Sequence, residues 1–414
     1  MKLLIKNIGL LATPTGSYAK RGAEMSEISK MRDVSVVAEN GEIVGIYPKG
    51  TEPSSDYDRV IDAENRLVTP GFVDSHTHLV FGGWRQHEVP LKIRGASYLE
   101  ILENGGGILD TVRNTRNESF EELYQKGMTF IKKMAALGVT SLEIKSGYGL
   151  DMENELKQLR VIKKLREDSG LDIMATFMPA HATPPEFYGN TEKYTDHICE
   201  YMLPELNRLQ KGGEKLAHFC DVFCESGVFG TEQSERILTE AKKIGLIPKV
   251  HADEINVIGA VPMGVKMEAI SADHLIAIDD EGIKTISESG TIATVLPSTS
   301  FYLGENFAPA KKLIKSGAAV AIASDFNPGS CPSFNMQLCV NLAYLKYRMT
   351  AEEILTAVTI NGAAAIDMAD KVGTIERGKQ ADLVIWDAED LETLLYRLGD
   401  NLVKTVIKKG EIIC

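Results

Sequence analysis

Pro70-Gly71-Phe72-Val73-Asp74-Ser75-His76-Thr77-His78 decides how this chain is read. Apolar Phe72 and Val73 lead into two histidines spaced i, i+2. In an extended strand that spacing sets both imidazoles on one face. Two imidazoles side by side at a strand end are half of a metal site. A His-x-His pair also arises by chance, so its weight depends on what surrounds it.

Downstream, short apolar runs alternate with amphipathic stretches. With 72–78 as the first, the runs at 140–148, 173–181, 221–225, 249–254, 269–274, 291–297 and 319–326 make eight candidate strands. Helical patterns at 120–137, 154–167, 232–244 and 309–316 separate most of them. Eight parallel strands with intervening helices predict an α/β fold, a distorted (β/α)8 TIM barrel. Polar residues gather where these strands end: His76 and His78, Tyr148, His181, His251 with Glu254, His274, and Asp325. In such a barrel those ends converge on one mouth, and core histidines scattered at random would not keep that phase.

Both termini are β-rich instead. Residues 33–38 and 43–46 flank Asn40-Gly41, a strong hairpin signal, and 382–386 and 403–408 read as strands. Neither end holds enough strands for a sheet of its own. One small β-sandwich built from 1–69 and 368–414 is expected, with the barrel inserted as 70–367.

The bulk numbers narrow the function. A formal net charge of −13 argues against nucleic acid and anionic membranes as partners. No apolar run approaches the roughly 20 residues of a membrane helix. The opening Met1–Leu11 reads as a strand broken by Lys2 and Lys6, not as a leader. Cysteines 199, 220, 224, 331, 339 and 414 form no disulfide framework, and Cys220 and Cys224 have no second pair to complete a zinc knot. A cytoplasmic protein with reduced thiols is expected.

His76, His78, His251 and Asp325 are the candidate ligands of one divalent transition metal, zinc or iron. Alone, Asp325 reads as a turn former before Asn327-Pro328-Gly329; with strands one and five it reads as a ligand. Such an ion brings the pKa of water toward about 7. Strand four, Asp221-Val-Phe-Cys-Glu225, lacks the lysine that a bridged two-metal site uses, so a single ion is expected. Glu254 is placed to shuttle a proton to a leaving nitrogen, and His274 to polarise a carbonyl or hold the attacking water. The Gly105–Gly107 run lacks a Gly-Lys-Ser/Thr ending and follows no strand, which excludes a phosphate loop.

Several segments together resemble the imidazolonepropionases of the amidohydrolase superfamily: His76-Thr-His78-Leu-Val-Phe-Gly-Gly-Trp-Arg85, Glu143-Ile-Lys-Ser-Gly-Tyr148, Ala180-His181-Ala-Thr-Pro-Pro-Glu186, His251-Ala-Asp-Glu254 and Ser324-Asp325-Phe-Asn327-Pro-Gly329-Ser330. The superfamily likeness extends through Gly373-Thr-Ile-Glu-Arg-Gly378 to the C-terminal strands. The resemblance implies hydrolysis of 4-imidazolone-5-propanoate to N-formimidoyl-L-glutamate, a small anionic substrate, and a homodimer. It implies that Arg85 takes the propanoate, that Tyr148 and His181 contact substrate as donors, and that Asn327, Gly329 and Ser330 add hydrogen bonds. Ser75 departs from the family's usual Pro, and Trp84 and His87 from smaller or amide residues. A deaminase of the same superfamily, acting on a nucleobase or guanidine, is the nearest alternative, but it needs no carboxylate clamp. A non-catalytic barrel is the other, and such relatives typically lose metal ligands.

Overall fold

The computed structural model describes residues 1–54, 56–95 and 106–414. Gly105, the first glycine of the Gly105–Gly107 run, lies outside the described residues.

The N-terminal strands are β1 (Lys2–Thr13), β2 (Ser29–Glu39), β3 (Glu42–Pro48), β4 (Arg59–Asp62) and β5 (Leu67–Pro70). The barrel strands follow as β6 (Phe72–Asp74), β7 (Val139–Lys145), β8 (Asp172–Ala180), β9 (Phe219–Cys224), β10 (Ile247–Ala252), β11 (Ser271–His274), β12 (Ile292–Val295) and β13 (Val320–Ile322). The chain closes with β14 (Leu383–Trp386), β15 (Val403–Lys408) and β16 (Glu411–Ile412).

Both termini build one sheet, in the order β16-β15-β14-β5-β1-β2-β3 with β4 against β1. The turn between β2 and β3 has φ 53° at Asn40 and 87° at Gly41. Positive φ at both central residues is the hairpin geometry that an Asn-Gly pair favours. Alternation along these strands feeds two cores. Leu383, Ile385 and Ile407 pack with Leu3, Ile5 and Val36, whereas Val384, Trp386 and Val406 join the barrel core.

Strands β6 to β13 run parallel in sequence order. The ring closes at the mouth, where Thr77 bridges Phe326. There His78 N–H donates to Phe326 O at 2.9 Å and Asp325 N–H to His76 O at 3.0 Å. Every residue of β7 and of β11 to β13 is buried, as strands covered on both faces must be. The covering helices start on local caps: Ser119 and Glu122 cap Phe120–Ala135, and Asp151 caps Met152–Asp168. All six cysteines are free. Among the described residues, no helix is long and apolar enough to cross a membrane.

Candidate metal centre and active site

The strand ends bring the candidate ligands together. Side-chain donor atoms of His76, His78 and Asp325, and of His76, His251 and His274, lie within 4.8 Å of one another in two groups that share His76. Asp325 Oδ1 lies 3.6 Å from His76 Nε2 and 3.9 Å from His78 Nε2. His251 Nε2 faces His78 Nε2 at 3.3 Å. All five side chains are buried, and His76 Nε2 has no hydrogen-bond partner. Burial drives the imidazoles of His76, His78 and His274 well below their usual pKa. Neutral imidazoles with inward lone pairs beside a carboxylate fit a divalent transition cation.

A second set of residues holds these donors. His76 Nδ1 donates to Asp273 Oδ2 at 2.6 Å, and His251 Nδ1 to Asp221 Oδ1 at 3.1 Å. Each bond fixes the tautomer that leaves the Nε2 lone pair open to a metal ion. Burial disfavours charge on His251, but the Asp221 carboxylate outweighs it and raises the imidazole's pKa. Beneath lies Lys145, whose Nζ is 2.7 Å from Asp221, 2.9 Å from Glu143 and 3.7 Å from Asp273. Lys249 Nζ adds a second cation 3.3 Å from Glu143. Thr299 Oγ1 donates to Asp325 Oδ2 at 2.6 Å.

Glu254 and His274 face each other, with 3.6 Å between Oε1 and Nδ1. Desolvation and the Asp325 charge raise the Glu254 carboxyl to about 8. Tyr148 is buried, and burial pushes its phenol up, so it is a neutral donor. Its ring lies beside the metal-site histidines, 5.7 Å between centroids from His78. Glu155 braces the Tyr148 loop by accepting from the backbone N–H groups of Gly149 and Leu150, each at 2.9 Å. The His181 ring stacks on His78 with centroids 4.8 Å apart. Burial lowers its pKa to about 3, and Nδ1 is 3.0 Å from Gly147 O. A neutral ring donating there from Nδ1 offers Nε2 as an acceptor, not as the expected donor.

Arg85 is held by Glu88, with its Nη1 against Gly329 in the turn after Asp325. Asn327 is turned into its own loop. Its Nδ2 donates to Asp325 Oδ1 at 3.0 Å, and its Oδ1 accepts from Gly329 N at 2.9 Å and Ser330 N at 2.7 Å. These amides, expected to reach substrate, brace the turn after the aspartate.

The amidohydrolase family model matches residues 67–413. An imidazolonepropionase of Parabacteroides distasonis is 45% identical over 99% of this chain and 98% of its own length. One from Porphyromonas gingivalis is 46% identical over 100% and 97%. The chain belongs to the imidazolonepropionase family. At the level of fold it is also similar to E. coli guanine deaminase (TM-score 0.76, 16% identity, covering 100% of this chain and 99% of that one).

In this imidazolonepropionase-family chain the departing residues are accommodated locally. Trp84 packs on Phe81 at 5.0 Å between centroids, and His87 faces Asp110 at 3.6 Å. Ser75 is the exception: its buried Oγ has no hydrogen-bond partner among the described residues, and the bond of its carbonyl with Lys249 Nζ at 3.2 Å is one that any residue there can make. Sequence reading missed Asp221, Asp273, Lys145, Lys249 and Glu88. For the two lysines the available signal was the i, i+2 placement of Glu143 with Lys145 and of Lys249 with His251, polar pairs on one face of strands that are otherwise apolar.

Proposed function

We propose that this protein hydrolyses the ring amide C–N bond of 4-imidazolone-5-propanoate, giving N-formimidoyl-L-glutamate. The observation that carries this is one mouth holding the His76, His78, His251 and Asp325 donors with the Arg85 guanidinium against Gly329, in the turn that follows Asp325. Those four side chains would hold zinc or ferrous iron, since imidazole nitrogens with one carboxylate oxygen suit either. A cation there supplies Lewis acidity and brings the pKa of water from about 15.7 toward about 7.

The chain's own groups do the rest. Arg85 binds the propanoate and so fixes the ring's orientation. Tyr148 donates from its neutral phenol, and His181 accepts a ring N–H at Nε2. Glu254 takes a proton from the attacking water and passes it to the departing ring nitrogen. His274 faces the carbonyl oxygen, where negative charge accumulates as water adds. When the C–N bond breaks, the carbonyl carbon becomes a carboxylate and the nitrogen leaves within the formimidoyl group.

The test uses metal-analysed protein and freshly generated imidazolonepropanoate. Loss of the ring's ultraviolet absorbance with formation of formimidoylglutamate is the expected result. No turnover by metal-loaded protein, with ammonia released from guanine or cytosine instead, overturns it in favour of a deaminase. Glu254→Gln is expected to lower kcat by roughly 100-fold or more; full activity in that variant removes Glu254 from proton transfer.

A further inference from the structure

Arg85 is held at the mouth by a residue that the reaction does not use. Glu88, fully buried, accepts from Arg85 Nε at 2.8 Å and Nη2 at 3.0 Å. Lys92 Nζ lies 3.2 Å from Oε2, the oxygen that also accepts from Arg85 Nη2, and the Gly107 N–H donates to Oε1 at 2.6 Å. With Nε and Nη2 engaged, Nη1 is turned to Gly329: a Cβ there would lie 2.1 Å from it. Lys92 Nζ reaches Gly329 O at 3.5 Å, so both cations border the same turn. One carboxylate between two cations leaves a single net positive charge.

We propose that Glu88 is a positioning residue that fixes Arg85, with Lys92 beside it, as a receptor for one carboxylate and thereby sets selectivity for a mono-anionic tail. This rests on the reading of Arg85 given above. Two effects of losing Glu88 oppose each other. Removing its charge raises the local positive potential, which favours an anion. Removing its two acceptors frees a long side chain from one geometry, which disfavours it. The second wins, because the added potential attracts an anion without directing it to one pose, while a displaced clamp forfeits alignment outright.

The experiment measures KM and kcat on imidazolonepropanoate for Glu88→Gln and Glu88→Asp. It adds two inhibitors, an imidazole with a propanoate tail and the same ring with a neutral propyl tail. Both variants are expected to raise KM about tenfold or more with kcat within about twofold, and to lose the preference for the acid inhibitor. Glu88→Asp keeps the charge and moves it by one methylene, so it separates geometry from charge. Unchanged or lowered KM in either variant overturns the proposal, as does equal weakening of both inhibitors. Arg85→Met is the control. If it keeps the acid preference, the reading of Arg85 itself fails; if it abolishes that preference while the Glu88 variants do not, only the present inference fails.

Discussion

Asp273 precedes His274 in sequence but serves His76, 197 residues away. Its carboxylate gives the imidazole a fixed tautomer, so its loss is felt through the ion. Asp273→Asn is expected to weaken cation affinity about 10–100-fold, read by titration against a competing chelator, with far-ultraviolet circular dichroism unchanged. An affinity within twofold of the parent would assign Asp273 to packing alone. Gly329 works by what it lacks. In Gly329→Ala the new methyl meets Arg85 Nη1, the tip of a side chain that Glu88 pins. Steady-state kinetics should show a raised KM with little change in melting temperature; an unchanged KM means that Arg85 yields without consequence. His76, His78 and His251 were legible because ligand chemistry restricts residue type and spacing. Glu88 and Asp221 were not, because a carboxylate that orients a neighbour reads like any other until its partner is placed beside it.

The eight barrel strands were legible as elements, since apolar runs ending in polar residues repeat with one phase. Their ends were not. The strand expected over 72–78 stops at Asp74, and the one expected over 319–326 stops at Ile322. At the mouth the backbone turns out of the ladder: φ is 79° at His274 and 55° at Asp325. Such left-handed positions are disfavoured for residues with a Cβ, and they recur where a site demands an orientation. That turn lets adjacent Asp273 and His274 both point inward, which a regular strand forbids. A pH effect belongs to the neighbouring strands. His218, just before β9, accepts from the Ala175 N–H of β8 through Nδ1 at 3.3 Å, and only a neutral ring can accept. Burial, with Arg166 and Lys215 adding repulsion, lowers its pKa to about 4. The unfolded chain therefore binds the extra proton first, between about pH 6.5 and pH 4, and stability is lost as pH falls through that window. The contribution is at most about 3 kcal/mol. His218→Gln keeps an acceptor without the charge, so urea denaturation should show a smaller loss between pH 7 and pH 4.5 than the parent; parallel curves would exclude His218 as the source.

The assembly of both termini into one β unit was legible because neither end could bury two faces alone; that its strands join in a single sheet emerged only from their pairing. Its consequence for the whole molecule lies in period-two alternation along β14. Trp386 turns toward the barrel, packs at a tilt against Phe72 with centroids 5.0 Å apart, and donates from Nε1 to Thr69 Oγ1 at 2.8 Å. Phe72 opens the first barrel strand, the one that leads to His76 and His78, so the C-terminal strand and the metal ligands share a support. A sheet whose inner face is part of the barrel core has no separate core to lose on that side. Terminal sheet and barrel should therefore unfold together, and the chain's two tryptophans make this measurable. In a Trp84→Phe background, fluorescence reports Trp386 at the junction while circular dichroism reports the barrel helices. Guanidinium curves from the two probes should coincide. Trp386→Ala, which empties the junction, should lower the common stability by roughly 3–5 kcal/mol. Two separated transitions, with the fluorescence change preceding loss of helix, would show that the terminal sheet is an autonomous unit, and that the metal centre depends only on the barrel.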